Sequence, residues 1–323
     1  MCRGSPACRA AYETKVLEIV RSQLAERGRP WSVWPRMAIF LYDPQSQTNQ
    51  KLAAETTPVL ATADVAGGPS ELSALRNDVL SDVLRRLVSR EHRTAPELQR
   101  SLEAVSRGGL RDACEQESLR LWLLEAHYRS ALTLAESEDA ARATRYPALD
   151  QSERRLAHLY ATEKRVMELP FERIAPVQTA PSDLLAAFPA GLSRALENDL
   201  ATPEALALMD GFLIAVNAMC DSALRKQGHV NRSAVDAAEA GLGALAQLLG
   251  LGGENPVRFL LRVRNRRAKQ QRVDVIAVDR KVAERIAARA ARDFERADRL
   301  QAELLELGVS LLDGPSGTSW TLA

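Results

Sequence analysis

The chain has 323 residues, and at about 150 residues per domain that implies two domains or three small ones. Hydrophobic residues make up 46% and charged residues 26%, an ordinary globular composition that excludes wholesale disorder. With 43 basic against 42 acidic residues, any polyanion-binding activity must come from a local patch. Cys2, Cys8, Cys114 and Cys220 are too scattered for a disulfide framework or a compact metal knuckle, so no metal site is expected. No apolar run reaches the roughly 18 residues that span a bilayer, and the N-terminus lacks the apolar core of a secretory signal. These features predict a cytoplasmic, reduced protein with no membrane partner.

Residues 12–27 carry Val16, Ile19, Val20 and Leu24 at helical spacing. Residues 37–42 form a short apolar run with strand character, ended by Asp43-Pro44. Residues 51–70 are Ala/Thr-rich and close on Gly67-Gly68-Pro69, which reads as a linker or a poorly packed loop. From Glu71 onward the pattern is helical. Leu72, Leu75, Val79, Val83, Leu84 and Leu87 mark one buried face. A second helix is expected over about 95–107, stopping at Gly108-Gly109, and a third over about 115–134. Long helices follow over roughly 151–169, 181–198, 203–226 and 234–251, with Thr202-Pro203 as a favoured helix start. The pattern is that of an antiparallel helical bundle.

Residues 255–272 break the charge neutrality, with Arg258, Arg262, Arg264, Arg266, Arg267, Lys269 and Arg272 and no acid among them. This run reads as a phosphate-binding surface or, equally, as a solvated insertion. A helical stretch over 282–307 then leads through Gly308 to an apolar run at 309–312. Asp313-Gly314-Pro315-Ser316-Gly317 is dense turn chemistry, and residues 318–322 return as a second strand.

Catalytic constellations are missing from the sequence. It has neither a GxxxxGK[ST] nor a GxGxxG phosphate loop, and no GxSxG elbow. His92, His127, His158 and His229 lie far apart, without partners at metal-ligand spacing. His127 falls among apolar residues and reads as a hydrogen-bonded structural histidine.

Three segments nevertheless resemble a known family in order. Leu119-Arg120 followed by His127-Tyr128-Arg129-Ser130 is similar to the stretch that opens the helical domain of cysteinyl-tRNA synthetases. Phe188 and then Asn198-Asp199-Leu200-Ala201-Thr202-Pro203 resemble that family's Asp-rich segment before Thr-Pro. Closest is the C-terminal run: Arg289 to Phe294, Ala297-Asp298, Leu304, Gly308, Asp313-Gly314-Pro315 and Gly317-Thr318-Ser319-Trp320. The resemblance covers about residues 115–323. It implies a mainly α fold: a helical bundle over 111–254, a basic linker over 255–280 and a small α+β anticodon-binding domain over 281–323. Residues 1–110 remain an N-terminal segment without a fold assignment, read as a degenerate or truncated catalytic region or an α/β remnant. The family's HIGH, KMSKS and zinc-ligand signatures do not occur in the sequence.

By this resemblance the anticodon-contacting positions are Arg289, Phe294, Asp298 and Asp313. An Arg fork suits guanine, a carboxylate suits the cytosine amino group, and an aromatic face suits an unstacked base. On the residues alone, Phe294 reads as core, Arg289 as solvated and Asp298 as a local cap. Arg262, Arg264, Arg266, Arg267 and Lys269 are the expected tRNA backbone contacts. Gln301 stands where the family has an Arg. Arg289 and Asp298 are nine residues apart, about half a turn out of phase on one helix, so they share a site only if the helix breaks between them. Asp293 is a natural N-cap for a new helix beginning at Phe294.

The leading expectation is a tRNA-binding, synthetase-like protein that favours cysteine tRNA, has no adenylate-forming site of its own and needs no cofactor. One alternative is an active cysteine–tRNA ligase, using ATP and zinc, whose catalytic part is degenerate or supplied by a partner synthetase chain. The other is a helical protein-interaction module.

Overall fold

A computed structural model describes residues 40–43, 48–51, 62–89, 93–110, 113–137, 145–176, 183–225, 228–314 and 317–322. The chain divides into two compact units, Met1–Ala38 and Ile39–Ala323, and every described residue belongs to the second. The helix expected over 12–27 lies outside the described residues. The strand expected near Tyr42 is β1 (Phe40–Asp43), which pairs antiparallel with β2 (Thr48–Lys51).

The apolar stripe beginning at Leu72 folds as α1 (Leu72–Ser89), with Leu72, Leu75, Val79, Val83 and Leu84 all buried. Next come α2 (Pro96–Ala104), a single π-helical turn (Val105–Gly109) and α3 (Gln116–Leu124). The bundle continues with α4 (Pro147–Met167), α5 (Asp183–Glu197), α6 (Thr202–Leu224) and α7 (Arg232–Leu248). Helix α3 packs on α1 and α4, while α5 packs on α6 and α7. Because α1 and α2 pack with α3, part of the 1–110 segment belongs to the bundle. The fold is mainly α, as expected.

Helix α6 is long and apolar enough to cross a membrane by length and composition, although Asp210 and Asp221 interrupt its apolar sequence. Within the bundle its Leu206, Met209, Phe212, Leu213 and Val216 are buried, and the Phe212 ring stacks on Phe188 with centroids 4.0 Å apart. These contacts are those of a core helix.

Two arginine clusters organise the bundle. The Asp82 carboxylate accepts from Arg86 Nε at 2.7 Å and Arg120 Nη2 at 2.6 Å, with all three side chains buried. Arg120 Nε also donates to Leu249 O at 2.6 Å, and Arg86 Nη1 donates to Ala246 O at 3.1 Å. The two guanidiniums therefore cap the C-terminal carbonyls of α7, whose partial negative charge complements that of Asp82. Burial pushes the Asp82 pKa up, but the charges of Arg120 and Arg86 outweigh it and hold the carboxyl below its ordinary range.

The second cluster centres on Arg76, which is fully buried and has no carboxylate partner among the described residues. Its guanidinium donates to Ala63 O at 3.0 Å, Ser130 O at 2.9 Å, Ala126 O at 3.2 Å and His127 O at 2.9 Å. The helix expected over 115–134 therefore ends at Leu124. Carbonyls that would have continued it turn instead toward Arg76. The chain beyond returns as β4 (Leu132–Thr133), parallel to β3 (Val65–Ala66). Residues 62–66, read as linker, are thereby fastened to the bundle.

After β5 (Ile174–Ala175), which pairs in parallel with β6 (Val230–Asn231), the C-terminal part comprises α8 (Pro256–Gln271), α9 (Val275–Ala290) and α10 (Phe294–Glu306). An antiparallel hairpin of β7 (Val309–Gly314) and β8 (Gly317–Leu322) completes it. Val278, Val282, Leu304, Val309, Trp320 and Leu322 form its own core together with Ala268 of α8.

Candidate nucleic-acid interface

The basic run at 255–272 is not a linker. It is helix α8, whose Phe259 ring stacks on Tyr160 of α4 at 4.0 Å, with Val263 and Ala268 also buried. Most of its charge is neutralised inside the fold. Arg267 is 6% exposed, donates to Glu153 at 3.1 Å and Asp150 at 2.9 Å, and reaches Leu322 O at 3.4 Å. Arg266 pairs with Glu153 and donates to Ala113 O at 2.8 Å. Arg262 is held by Glu254 and by Glu115 at 3.1 Å, and Arg264 lies over the Trp320 ring at 4.5 Å. These pairs join α8 to α4 and to the hairpin. Two of the phosphate contacts expected from sequence, Arg266 and Arg267, are thus engaged in internal ion pairs. Their acids stand more than a hundred residues upstream, so local charge density concealed the neutralisation. The Lys269 side chain is exposed and makes no hydrogen bond or ion pair to another described residue.

The base-contacting positions are placed differently. Helix α9 ends at Ala290, Arg292 adopts φ 59°, and a new helix begins at Phe294. The Asp293 carboxylate caps that helix, accepting from Arg296 N at 3.0 Å. The expected break is present, and its cause is the expected cap. Arg289 lies exposed in the last turn of α9, and Phe294 stands 61% exposed immediately across the break. Asp298 is exposed one turn further along the same face of α10. Ala288, Ala297 and Leu300 form the buried layer beneath. Phe294 is therefore not core. The Gln301 side chain accepts from the buried Arg285 at 3.1 Å, which gives it an internal structural role. Asp313 lies near the tip of the hairpin, opposite Thr318, so the strand pair extends further than the turn read from sequence. Arg289, Phe294 and Asp298 thus share one corner, and Asp313 belongs to a separate element.

Sequence reasoning passed over Arg292 and Arg299, exposed cations beside this corner whose guanidiniums make no hydrogen bond or ion pair to another described residue. The signal for Arg292 was present: an N-cap at Asp293 requires the preceding helix to terminate just before it.

Two of the segments that carry the family resemblance meet in the bundle. Tyr128 donates to Asp199 Oδ1 at 2.8 Å, Arg129 pairs with the other carboxylate oxygen, and His127 Nε2 lies 2.9 Å from Asp199 O. Asp199 and Leu200 adopt φ 55° and 49°, a left-handed turn secured by this clasp. His127 is thus structural, as read from sequence. Among the described residues no group of three or more His, Cys, Asp or Glu side chains is arranged to hold a metal, so these residues do not fit a zinc ion. Cys114 and Cys220 are buried free thiols, and burial pushes Cys114 up to about 12. An open cleft lined by Glu125, Gln151, Arg155 and Asp210 is occupied by its own Arg155–Asp210 fork at 2.9 and 2.7 Å.

No family model matches the chain. A cysteine–tRNA ligase of Anaeromyxobacter dehalogenans is 34% identical over 207 residues, 63% of this chain and 39% of that protein. Cysteine–tRNA ligases of Geobacter metallireducens and Clavibacter michiganensis are 30% and 32% identical over 210 and 206 residues. The chain spans about two fifths of the length of the curated relatives it matches. Over 63% of its own length, the chain is similar to cysteine–tRNA ligases.

Proposed function

We propose that this chain binds tRNA through its C-terminal unit and reads the cysteine anticodon G-C-A. The observation that carries the reading is the corner at the α9–α10 break, where the exposed Phe294 lies between the exposed Arg289 and Asp298 along the chain. A large aromatic that is 61% exposed costs apolar surface in water, and stacking with an unpaired base returns it. Arg289 supplies a fork for guanine O6 and N7, while Asp298 and Asp313 supply carboxylate acceptors for an exocyclic amino group. Lys269 adds sequence-tolerant phosphate attraction, and Arg262 and Arg264 contribute only what their internal pairing leaves. The proposed role lies in protein biosynthesis in the cytoplasm, without formation of cysteinyl adenylate by this chain alone.

The experiment is a binding comparison between cysteine tRNA and the same tRNA with an altered anticodon. A preference for G-C-A is expected, reduced by Arg289→Ala and Asp313→Ala with little change in non-specific binding. Equal affinities at moderate salt overturn the reading and favour an interaction module. The second reading, an active ligase, is favoured by the activity for which the relatives are named. It is tested by cysteine-dependent ATP–pyrophosphate exchange, which is expected to stay at the blank level for the isolated chain.

A further inference from the structure

The last four helices each end at or beside a residue with left-handed backbone, and they meet that requirement in two ways. After α7 and α10 the left-handed position is glycine: Gly250 at φ 67° and Gly308 at φ 73°. After α8 and α9 it is arginine: Arg272 at φ 57° and Arg292 at φ 59°. The two arginine ends are alike in their hydrogen bonding. Val273 N donates to Ala268 O at 2.8 Å and Asp293 N to Ala288 O at 2.9 Å, the closing bond of a helix-terminal Schellman turn in each case. A side chain with a Cβ is strained in this backbone region, and glycine is the unstrained choice that stands at the other two ends.

Nothing in the described fold uses these two side chains. Both are exposed, and neither guanidinium makes a hydrogen bond or ion pair to another described residue, unlike Arg262, Arg266 and Arg267 on the same C-terminal unit. A cation near a helix C-terminus is mildly favourable, but Arg289 already occupies the last turn of α9 and Lys269 that of α8. The two strained positions stand at opposite ends of α9, whose 16 residues span about 24 Å. Arg292 adjoins the Phe294 corner.

From this we infer that Arg272 and Arg292 are phosphate-contacting residues of the RNA surface, held at left-handed helix ends to present free guanidiniums to the backbone of one polynucleotide. The inference rests on the RNA-binding reading above and supplies the phosphate contacts that the internally paired arginines of α8 do not. Their separation requires a polyanion long enough to reach both positions, so a single phosphate or mononucleotide is not the ligand.

The test is replacement by the residue the backbone prefers. Arg272→Gly, Arg292→Gly and the double variant relieve strain, so each is expected to fold with a Tm equal to or above that of the parent. Binding of the full chain to fluorescently labelled cysteine tRNA is then measured from 50 to 200 mM salt. Each removed phosphate contact lowers the slope of log affinity against log salt by about 0.7–0.9, so the double variant should lose roughly 1.4–1.8. Arg272→Lys/Arg292→Lys retains the charge at the same strained backbone and should keep the parental slope. Unchanged affinity and slope in the double glycine variant, with tRNA still bound by the parent, overturns this inference and leaves the RNA-binding reading standing. No tRNA binding by the parent chain at 50 mM salt overturns both.

Discussion

Replacing Asp82 with Ala tests whether the bundle is organised around buried charge. The substitution removes the one carboxylate that Arg86 and Arg120 share, at 2.7 and 2.6 Å, while both guanidiniums stay about 2% exposed. Carbonyls of α7 still receive bonds from both arginines, but dipoles replace a full counter-charge. Breaking a buried pair by removing one partner costs about 3–5 kcal/mol. At roughly 2–4 °C per kcal/mol for a domain of this size, Tm should fall by about 6–20 °C. The isosteric Asp82→Asn should lose most of the same amount, because the loss is electrostatic. Thermal and urea unfolding measure the change. The decisive comparison adds Arg120→Met to Asp82→Ala, which should recover part of the loss by removing an unpaired buried cation. A loss under about 1 kcal/mol, or a double variant less stable than Asp82→Ala, would refute the charge-based account. The acid limb provides a further check. The folded pKa of Asp82 is depressed, so its contribution is present above the ordinary carboxylate range and disappears as pH falls through the depressed value.

Rising pH should act through different carboxyls. Burial raises Glu117 to about 7 and Glu163 to about 9, with Tyr160 and Gly252 N donating to Glu117 and partly opposing its shift. Groups with raised folded pKa contribute stability below their unfolded values and lose it as pH rises through the folded ones. Tm should therefore decline between about pH 4.5 and pH 9, and Glu163→Gln should flatten the upper part of that decline; a variant with the parental slope would refute the assignment. Two glycines of α7 should respond in opposite directions. A Cβ at Gly241 would lie 2.3 Å from Phe212 Cζ, so Gly241→Ala should destabilise by about 1–3 kcal/mol through overpacking. Gly243 has open space, so Gly243→Ala should stabilise by about 0.5–1 kcal/mol in urea unfolding. Phe294→Ala should leave Tm nearly unchanged because the ring is 61% exposed, yet cost about 1–3 kcal/mol in binding cysteine tRNA. A large Tm loss would assign the ring to the core.

The sequence by itself determined the helical class and the break at Asp293. Both follow from local rules: apolar residues at three- and four-residue spacing bury one face, and a side-chain acceptor at an N-cap starts a helix. It also placed Arg289, Phe294 and Asp298 as candidates, through the resemblance of the C-terminal run. Tertiary structure decided what local patterning does not encode. The helix opened by α3 ends at Leu124 because Arg76, some fifty residues upstream, gathers the carbonyls of Ala126, His127 and Ser130. The basic run became a packed helix because Glu115, Asp150 and Glu153 meet its arginines from distant parts of the chain. Phe294 proved exposed while Arg267 proved buried, the reverse of what side-chain polarity suggests. Periodicity and capping act within one or two helical turns, whereas charge compensation and burial depend on which remote segments the fold brings into contact.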